Sequence, residues 1–301
     1  MRPGSLYRAA LTLILTCACS SDPAEAPAGA GAAPNGGAAS AGGDGGTGGP
    51  GETGRCEEGS FPGSVTESVA VGSVTALIVD EAGEPTSAGL VQVCGKDLCI
   101  NARVGDDGKV GEDVQRDMDA PALKVGDGAA WAKVAFAIGA GDSELGTLAT
   151  ARLPDFADGA SFAPGTSISS GGVTLELASA AQIEVDTLSY ETEAEQTFRA
   201  APLPSVTLER LDPDFVAGFG LAPVETRICP PVGLKLENTA KLAPGTVVEL
   251  YLQGFDVLEG FAAYGGWELV SEGAVSEDGE SLDFAEGPPI LTTIAVKVKP
   301  R

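Results

Sequence analysis

Ile290-Leu291-Thr292-Thr293-Ile294-Ala295-Val296-Lys297-Val298-Lys299, the last apolar run of the chain, decides the fold class. Ile294, Val296 and Val298 fall on one side of an extended chain, and Ala295, Lys297 and Lys299 on the other, which is the two-residue period of a strand. Similar short runs recur: Val74–Asp80, Leu90–Cys94, Leu98–Arg103, Trp131–Ile138, Val173–Ala178, Gln182–Asp186 and Val247–Gln253. Gly, Pro, Asp and Asn break them at intervals of about 8–12 residues, the spacing of sandwiches. No long helical period with caps is found, and Asp186–Ala200 is the one ambiguous stretch. The 301 residues include 42 Gly and 20 Pro, a load that opposes helices, and 5% aromatics, so a core must rest on Val, Leu, Ile and Ala. The expected fold is all-β: two β-sandwich modules, 56–150 and 151–301, after a signal peptide and a disordered Gly/Ala-rich tether.

The front of the chain follows the grammar of export. Arg2 and Arg8 supply a positive start. Ala9-Ala10-Leu11-Thr12-Leu13-Ile14-Leu15-Thr16 is too short to span a bilayer, and Cys17-Ala18-Cys19 follows. Residues 1–19 resemble a bacterial lipoprotein signal, which wants a small residue before the acylated cysteine. Ala18 before Cys19 fits better than Thr16 before Cys17, so Cys19 is the expected lipidation site and Cys17 the alternative; an ordinary secretory leader is the rival. The resemblance implies a palmitate-bearing, lipid-modified cysteine that attaches the protein to a membrane without spanning it. Residues 20–54 contain no Val, Ile, Leu, Met, Phe, Tyr or Trp, so this stretch has nothing to bury against its ordering entropy. As a Gly-rich coil of 35 residues it would hold its ends roughly 30–35 Å apart.

Val74-Thr75-Ala76-Leu77-Ile78-Val79-Asp80-Glu81-Ala82-Gly83-Glu84-Pro85, then Ala88–Val93, then Asp106-Asp107-Gly108-Lys109-Val110, read as strand, Asx turn, strand, and acidic turn into a further strand. This order resembles the carboxypeptidase regulatory-like (transthyretin-like) β-sandwich, with Cys94–Cys99 inserted between strands. That family is mostly non-catalytic, and the resemblance implies a scaffold or binding module. In the second module Leu153-Pro154, Gly159-Ala160 and Pro164-Gly165-Thr166 resemble the opening of ZU5-like β domains. Phe162-Ala163-Pro164-Gly165-Thr166 is also echoed by Leu242-Ala243-Pro244-Gly245-Thr246, as a duplication or as a favoured turn before a strand.

Cys56, Cys94, Cys99 and Cys229 remain in the body. An even count in an oxidising compartment suggests two disulfides among three connectivities. Cys94 and Cys99 flank a hairpin turn and can bridge if their Cα atoms lie within about 7 Å, which leaves Cys56 with Cys229. A Cys₄ metal site lacks the paired short spacings of a zinc ribbon.

Charge and composition prune the functions. Acids outnumber bases 43 to 18, a net charge of −25, and loss of a leader carrying Arg2 and Arg8 takes it to −27. Such a chain repels nucleic acid. With 0 His, Ser-His-Asp triads, Cys-His dyads and histidine-ligated metals are excluded. Paired carboxylates (Asp106 with Asp107, Asp142 with Glu144, Asp212 with Asp214, Glu277 with Asp278) are what so acidic a chain produces by chance, and a sugar cleft would need more aromatic platforms than Trp131 and Trp267 offer. Calcium is the one cofactor candidate besides the lipid, at Asp106, Asp107, Glu277 and Asp278, although neither turn matches a full EF-hand loop. Trp267, after Tyr264-Gly265-Gly266, reads as core at a strand start rather than as a loop anchor. The expectation is a non-enzymatic lipoprotein of the cell envelope, placed at the outer membrane and facing periplasm or cell surface. Its β modules would bind a protein or glycan and no nucleic acid. The rivals are an accessory subunit of an envelope assembly and a secreted hydrolase.

Overall fold

Seven strands build the first part of the body: β1 (Ser68–Val79), β2 (Val91–Cys94), β3 (Cys99–Asn101), β4 (Lys109–Asp119), β5 (Ala122–Val125), β6 (Val134–Ala137) and β7 (Gly141–Ala149). The structure, a computed structural model, describes Cys56, Phe61, residues 68–255 and residues 259–300. The leader, the tether and the lipidation candidates Cys17 and Cys19 lie outside the described residues. The chain divides into two units, Met1–Pro50 and Gly51–Arg301, and everything described belongs to the second.

The seven strands form two facing sheets. One has the order β4-β1-β7, with β4 antiparallel and β7 parallel to β1; the other is the antiparallel β3-β2-β5-β6. Val74, Ile78 and Met118 from the first meet Val93, Leu123 and Val134 from the second, all fully buried. The Asp80–Pro85 turn forms as its residues require. Asp80 Oδ1 accepts from the amides of Ala82 and Glu84, each at 2.9 Å, and Gly83 takes φ +84°. The hairpin it suggests stops at a single Val79–Pro85 bridge. Ala88 and Gly89, at φ +51° and +69°, then send β2 across to the opposite sheet. Gly108 closes the acidic turn at φ +75°, where a Cβ would lie 2.4 Å from the Ile78 carbonyl oxygen.

The rest of the body carries β8 (Ser167–Ser170), β9 (Val173–Glu176), β10 (Gln182–Glu184), β11 (Arg199–Pro202), helix α1 (Ser205–Leu211), β12 (Phe215–Ala222), β13 (Arg227–Cys229), β14 (Gly233–Glu237), β15 (Val247–Gln253), β16 (Trp267–Val275), β17 (Ser281–Phe284) and β18 (Thr293–Val298). Nine of these strands make one antiparallel sheet in the order β11-β12-β18-β15-β16-β17-β14-β9-β8; β10 and β13 pair separately. The large sheet nearly closes on itself: at its two edges the Ala200 amide donates to Ser170 Oγ at 3.1 Å. Leu175, Phe198, Phe219, Leu234, Leu250 and Ile294 fill its interior.

The two cores share a wall. On β18, Ile294 and Val296 enter the interior of the nine-stranded sheet while Ala295 packs with the first core; on β12, Phe219 and Phe215 divide in the same way. Polar side chains tie the wall to the first sandwich. Gln253, at 0% exposure, accepts from the Ala135 amide at 3.1 Å and donates to the Ala135 carbonyl at 2.7 Å, while Thr207 donates to Ala149 O at 2.5 Å. Val298 points the way its alternation predicts, but at the strand end it is 39% exposed. The two Ala-Pro-Gly-Thr echoes build one and the same turn. In each the threonine hydroxyl donates to the alanine carbonyl, Thr166 to Ala163 at 2.6 Å and Thr246 to Ala243 at 2.7 Å. They precede an edge strand, β8, and an interior one, β15.

Candidate binding cleft

Asp186–Ala200, ambiguous in sequence, folds as two hydrogen-bonded turns leading into β11. Asp186 accepts from Ser189 Oγ at 2.6 Å and from the Leu188 amide at 3.0 Å, and these bonds hold its carboxyl below the ordinary aspartate range. Thr192 and Glu195 form a capping pair: Glu195 accepts from the Thr192 amide at 2.8 Å and its hydroxyl at 3.0 Å, and the Glu195 amide donates to Thr192 Oγ1 at 3.3 Å. Tyr190 pins the loop to the body by accepting from the Val224 amide at 2.8 Å; burial pushes its hydroxyl up to about 12. Gln196 in turn donates to the Tyr190 carbonyl at 2.9 Å. The first turn leaves Leu188 90% exposed.

These turns wall a cleft along β10. Two hollows, of about 650 and 490 Å³, share Ile183, Val185 and Gln196. The larger adds Cys56, Glu184, Thr187 and Arg227; the smaller adds Phe162, Glu193 and Thr197 among others. The lining is mixed, with Ile183, Val185 and Phe162 set among polar side chains, and the rim carries both signs of charge. At one end stands the Cys56–Cys229 disulfide, with Cα atoms 5.5 Å apart, and Glu184 Oε1 accepts from the Cys56 amide at 3.1 Å.

The second disulfide joins Cys94 to Cys99, which lie opposite each other on β2 and β3. Its hairpin delivers Lys96 to the buried carboxylate of Glu259 at 2.8 Å. The acidic turns are not brought together as one site. Asp107 pairs with Lys109 at 2.6 Å, which holds its carboxyl low, while Asp106 lies exposed beside it. Asp278 accepts from Ser276 Oγ at 2.6 Å and the Glu280 amide at 3.0 Å at the β16–β17 turn, next to exposed Glu277. Among the described residues no group of three or more acidic or cysteine side chains is placed to hold a metal ion. Asp142 accepts from the amide and hydroxyl of Ser73 at 2.8 and 2.9 Å, and Asp212 pairs with Lys297 at 2.6 Å. Trp267 opens β16 and tilts against Phe215, ring centres 4.7 Å apart.

Sequence reasoning read Gln182–Asp186 as a strand and Phe162–Thr166 as a turn motif, but assigned a role in a site to none of the cleft's side chains except Cys56. The Asp-x-x-Ser and Thr-x-x-Glu spacing of the loop marks turns rather than a binding wall.

No protein-family model and no curated protein matches the chain. Among solved structures it is similar to the Bacillus anthracis TIE protein, at 11% identity and a TM-score of 0.22 over 77% of this chain and 49% of that one. It is also similar to a DUF3823 family protein from Parabacteroides merdae ATCC 43184, at 10% identity and a TM-score of 0.19 over 73% of this chain and 97% of that one. The chain thus spans about half the length of the first. Both are bacterial proteins, and at these scores neither likeness carries an argument about fold or function.

Proposed function

We propose that this chain is an exported, lipid-anchored protein of the bacterial envelope whose all-β body is a non-catalytic binding module, with the cleft along β10 as its binding surface. The observation that carries the reading is the Cys56–Cys229 bridge. Such a bond persists in an oxidising compartment, which is where the leader of residues 1–19 would deliver the chain. The bridge also stands at the cleft. The arrangement of the first sandwich, three strands facing four, supports its kinship with carboxypeptidase regulatory-like modules. The carboxylates Asp107, Asp142, Asp212 and Asp278 are engaged in turns and ion pairs, which supports a scaffold rather than a hydrolase.

Two measurements test this. Radioactive palmitate fed to the producing cell labels the wild type and not Cys19→Ala; equal labelling refutes the anchor at that cysteine. The chain with Cys17 and Cys19 replaced by Ser, used in pull-downs from envelope extract and on a glycan array with and without calcium, retains a protein or glycan ligand. Retention of nothing on either overturns the binding role.

A further inference from the structure

Among the described residues β10 is paired on one side only. Its register with β13 sets Gln182 opposite Cys229, Ile183 opposite Ile228 and Glu184 opposite Arg227. The Ile228 amide donates away from β10, to the Pro289 carbonyl at 2.9 Å. Ile183 and Ile228 are therefore a non-hydrogen-bonded pair, and the main-chain N–H and C=O of Ile183 point to the open side of the ribbon. Val185, two residues on, has the same parity. Among the described residues neither Ile183 nor Val185 has a main-chain hydrogen bond. Both line the two hollows, which meet along this edge. The cleft thus presents the main-chain set of Ile183 and, about 6.7 Å on along an extended chain, that of Val185 just past the end of β10, over a floor of mixed polarity.

We infer that the open edge of β10 accepts an extended polypeptide segment by strand addition, so that the ligand of the proposed binding module is a peptide stretch of a partner protein. This rests on the binding reading above and names the ligand class. A main-chain ladder needs partners for both amides and carbonyls, which an extended peptide supplies at the matching repeat and a sugar does not. Hollows on either side of Ile183 give room for alternate side chains of the incoming strand, and Glu184, Glu193 and Arg227 on the rim bias its charges. The walls are set in advance by the Asp186–Tyr190 and Thr192–Glu195 bonds, so little ordering is lost on binding.

The test uses the mature protein in detergent and a random heptapeptide library displayed on phage. Selected peptides are measured against the wild type, Ile183→Val, Ile183→Pro and Val185→Pro. Proline removes an amide that the β13 ladder does not use, so Val185→Pro keeps the wild-type melting temperature to within a few degrees, while Ile183→Pro also withdraws a side chain packed on the second core and melts lower. Ile183→Val, which trims the hollow lining but keeps the amide, weakens binding less than either proline variant, and each proline variant binds about tenfold more weakly than the wild type, the loss of one main-chain bond. Bound peptide slows hydrogen exchange at the Ile183 and Val185 amides. Undiminished binding to folded proline variants, protection elsewhere, or no enrichment over blank beads overturns strand addition. If the glycan array finds a ligand while the peptide library finds none, the inference falls and the binding module stands.

Discussion

Lys124 shows how a side chain acquires a pH dependence from its surroundings. β5 turns its ammonium over the Tyr264 ring at 4.6 Å and near the Phe255 ring at 5.7 Å, with Lys133 over the same Phe255. Burial, reinforced by the Lys133 charge and opposed by Glu225, lowers its pKa to about 8. Below pH 8 Lys124 is charged whether the chain is folded or not, and the folded state bears the full cost of burying it. Between about 8 and the model-peptide value of 10.5 the unfolded chain holds a proton that the folded one has released, so stability rises with pH. The window closes near pH 10, where Tyr190 and Tyr264, raised by burial, keep protons that the unfolded chain loses. Melting temperatures of wild type and Lys124→Met between pH 7 and 9.5 should therefore shift in the wild type's favour; a constant difference contradicts the account. Gln253 gives a second prediction. Gln253→Leu leaves the Ala135 amide and carbonyl buried without partners, and should lower stability by about 3 kcal/mol in urea unfolding. The Asp80 turn was legible because its acceptor and donors lie within four residues of each other. Gln253 was not, because its partner is 118 residues away.

Several strands with one buried and one wet face were readable, although β14, with the same alternation, was not. Val247–Gln253 and Gln182–Glu184 appear where alternation places them, and the Cys94–Cys99 turn becomes the β2–β3 hairpin. β12 went unseen for a physical reason: covered on both faces, its sequence FVAGFGLA has no period of two. Helix α1, seven residues long, is too short to show a helical period. The disulfides are unequal as cross-links. On loop-closure entropy, replacing Cys56 and Cys229 by serine should cost about 5 kcal/mol, and replacing Cys94 and Cys99 about 2 kcal/mol, because the enclosed spans differ so much. Urea unfolding of the two double variants checks the order, and equal losses refute it. The near-closure of the nine-stranded sheet rests on Gly171, at φ +51°, where a Cβ would meet the Ala200 carbonyl oxygen at 1.9 Å. Gly171→Ala should lower stability by about 2 kcal/mol, measured the same way.

At the scale of the body, the cores on either side of β12 and β18 cannot part without exposing both. Ala295 and Ile294 are adjacent in sequence and fully buried in different cores. The body should therefore unfold in one transition, with tryptophan fluorescence, reporting Trp131 and Trp267, and far-ultraviolet dichroism coinciding; two separated transitions would show that the cores fold independently. Composition made an all-β body legible, but the sharing of a wall was not, since no local pattern tells which core an alanine will fill. The bond between Cys56 and Cys229 has a mechanical meaning as well. Tension arriving through the residues ahead of Cys56 passes at that sulfur directly into β13. The whole stretch between the two cysteines, the first sandwich included, is left out of the line of force. If the chain is held by its front end, as proposed, a pull there would load the rim of the cleft while β1 through β7 hang slack.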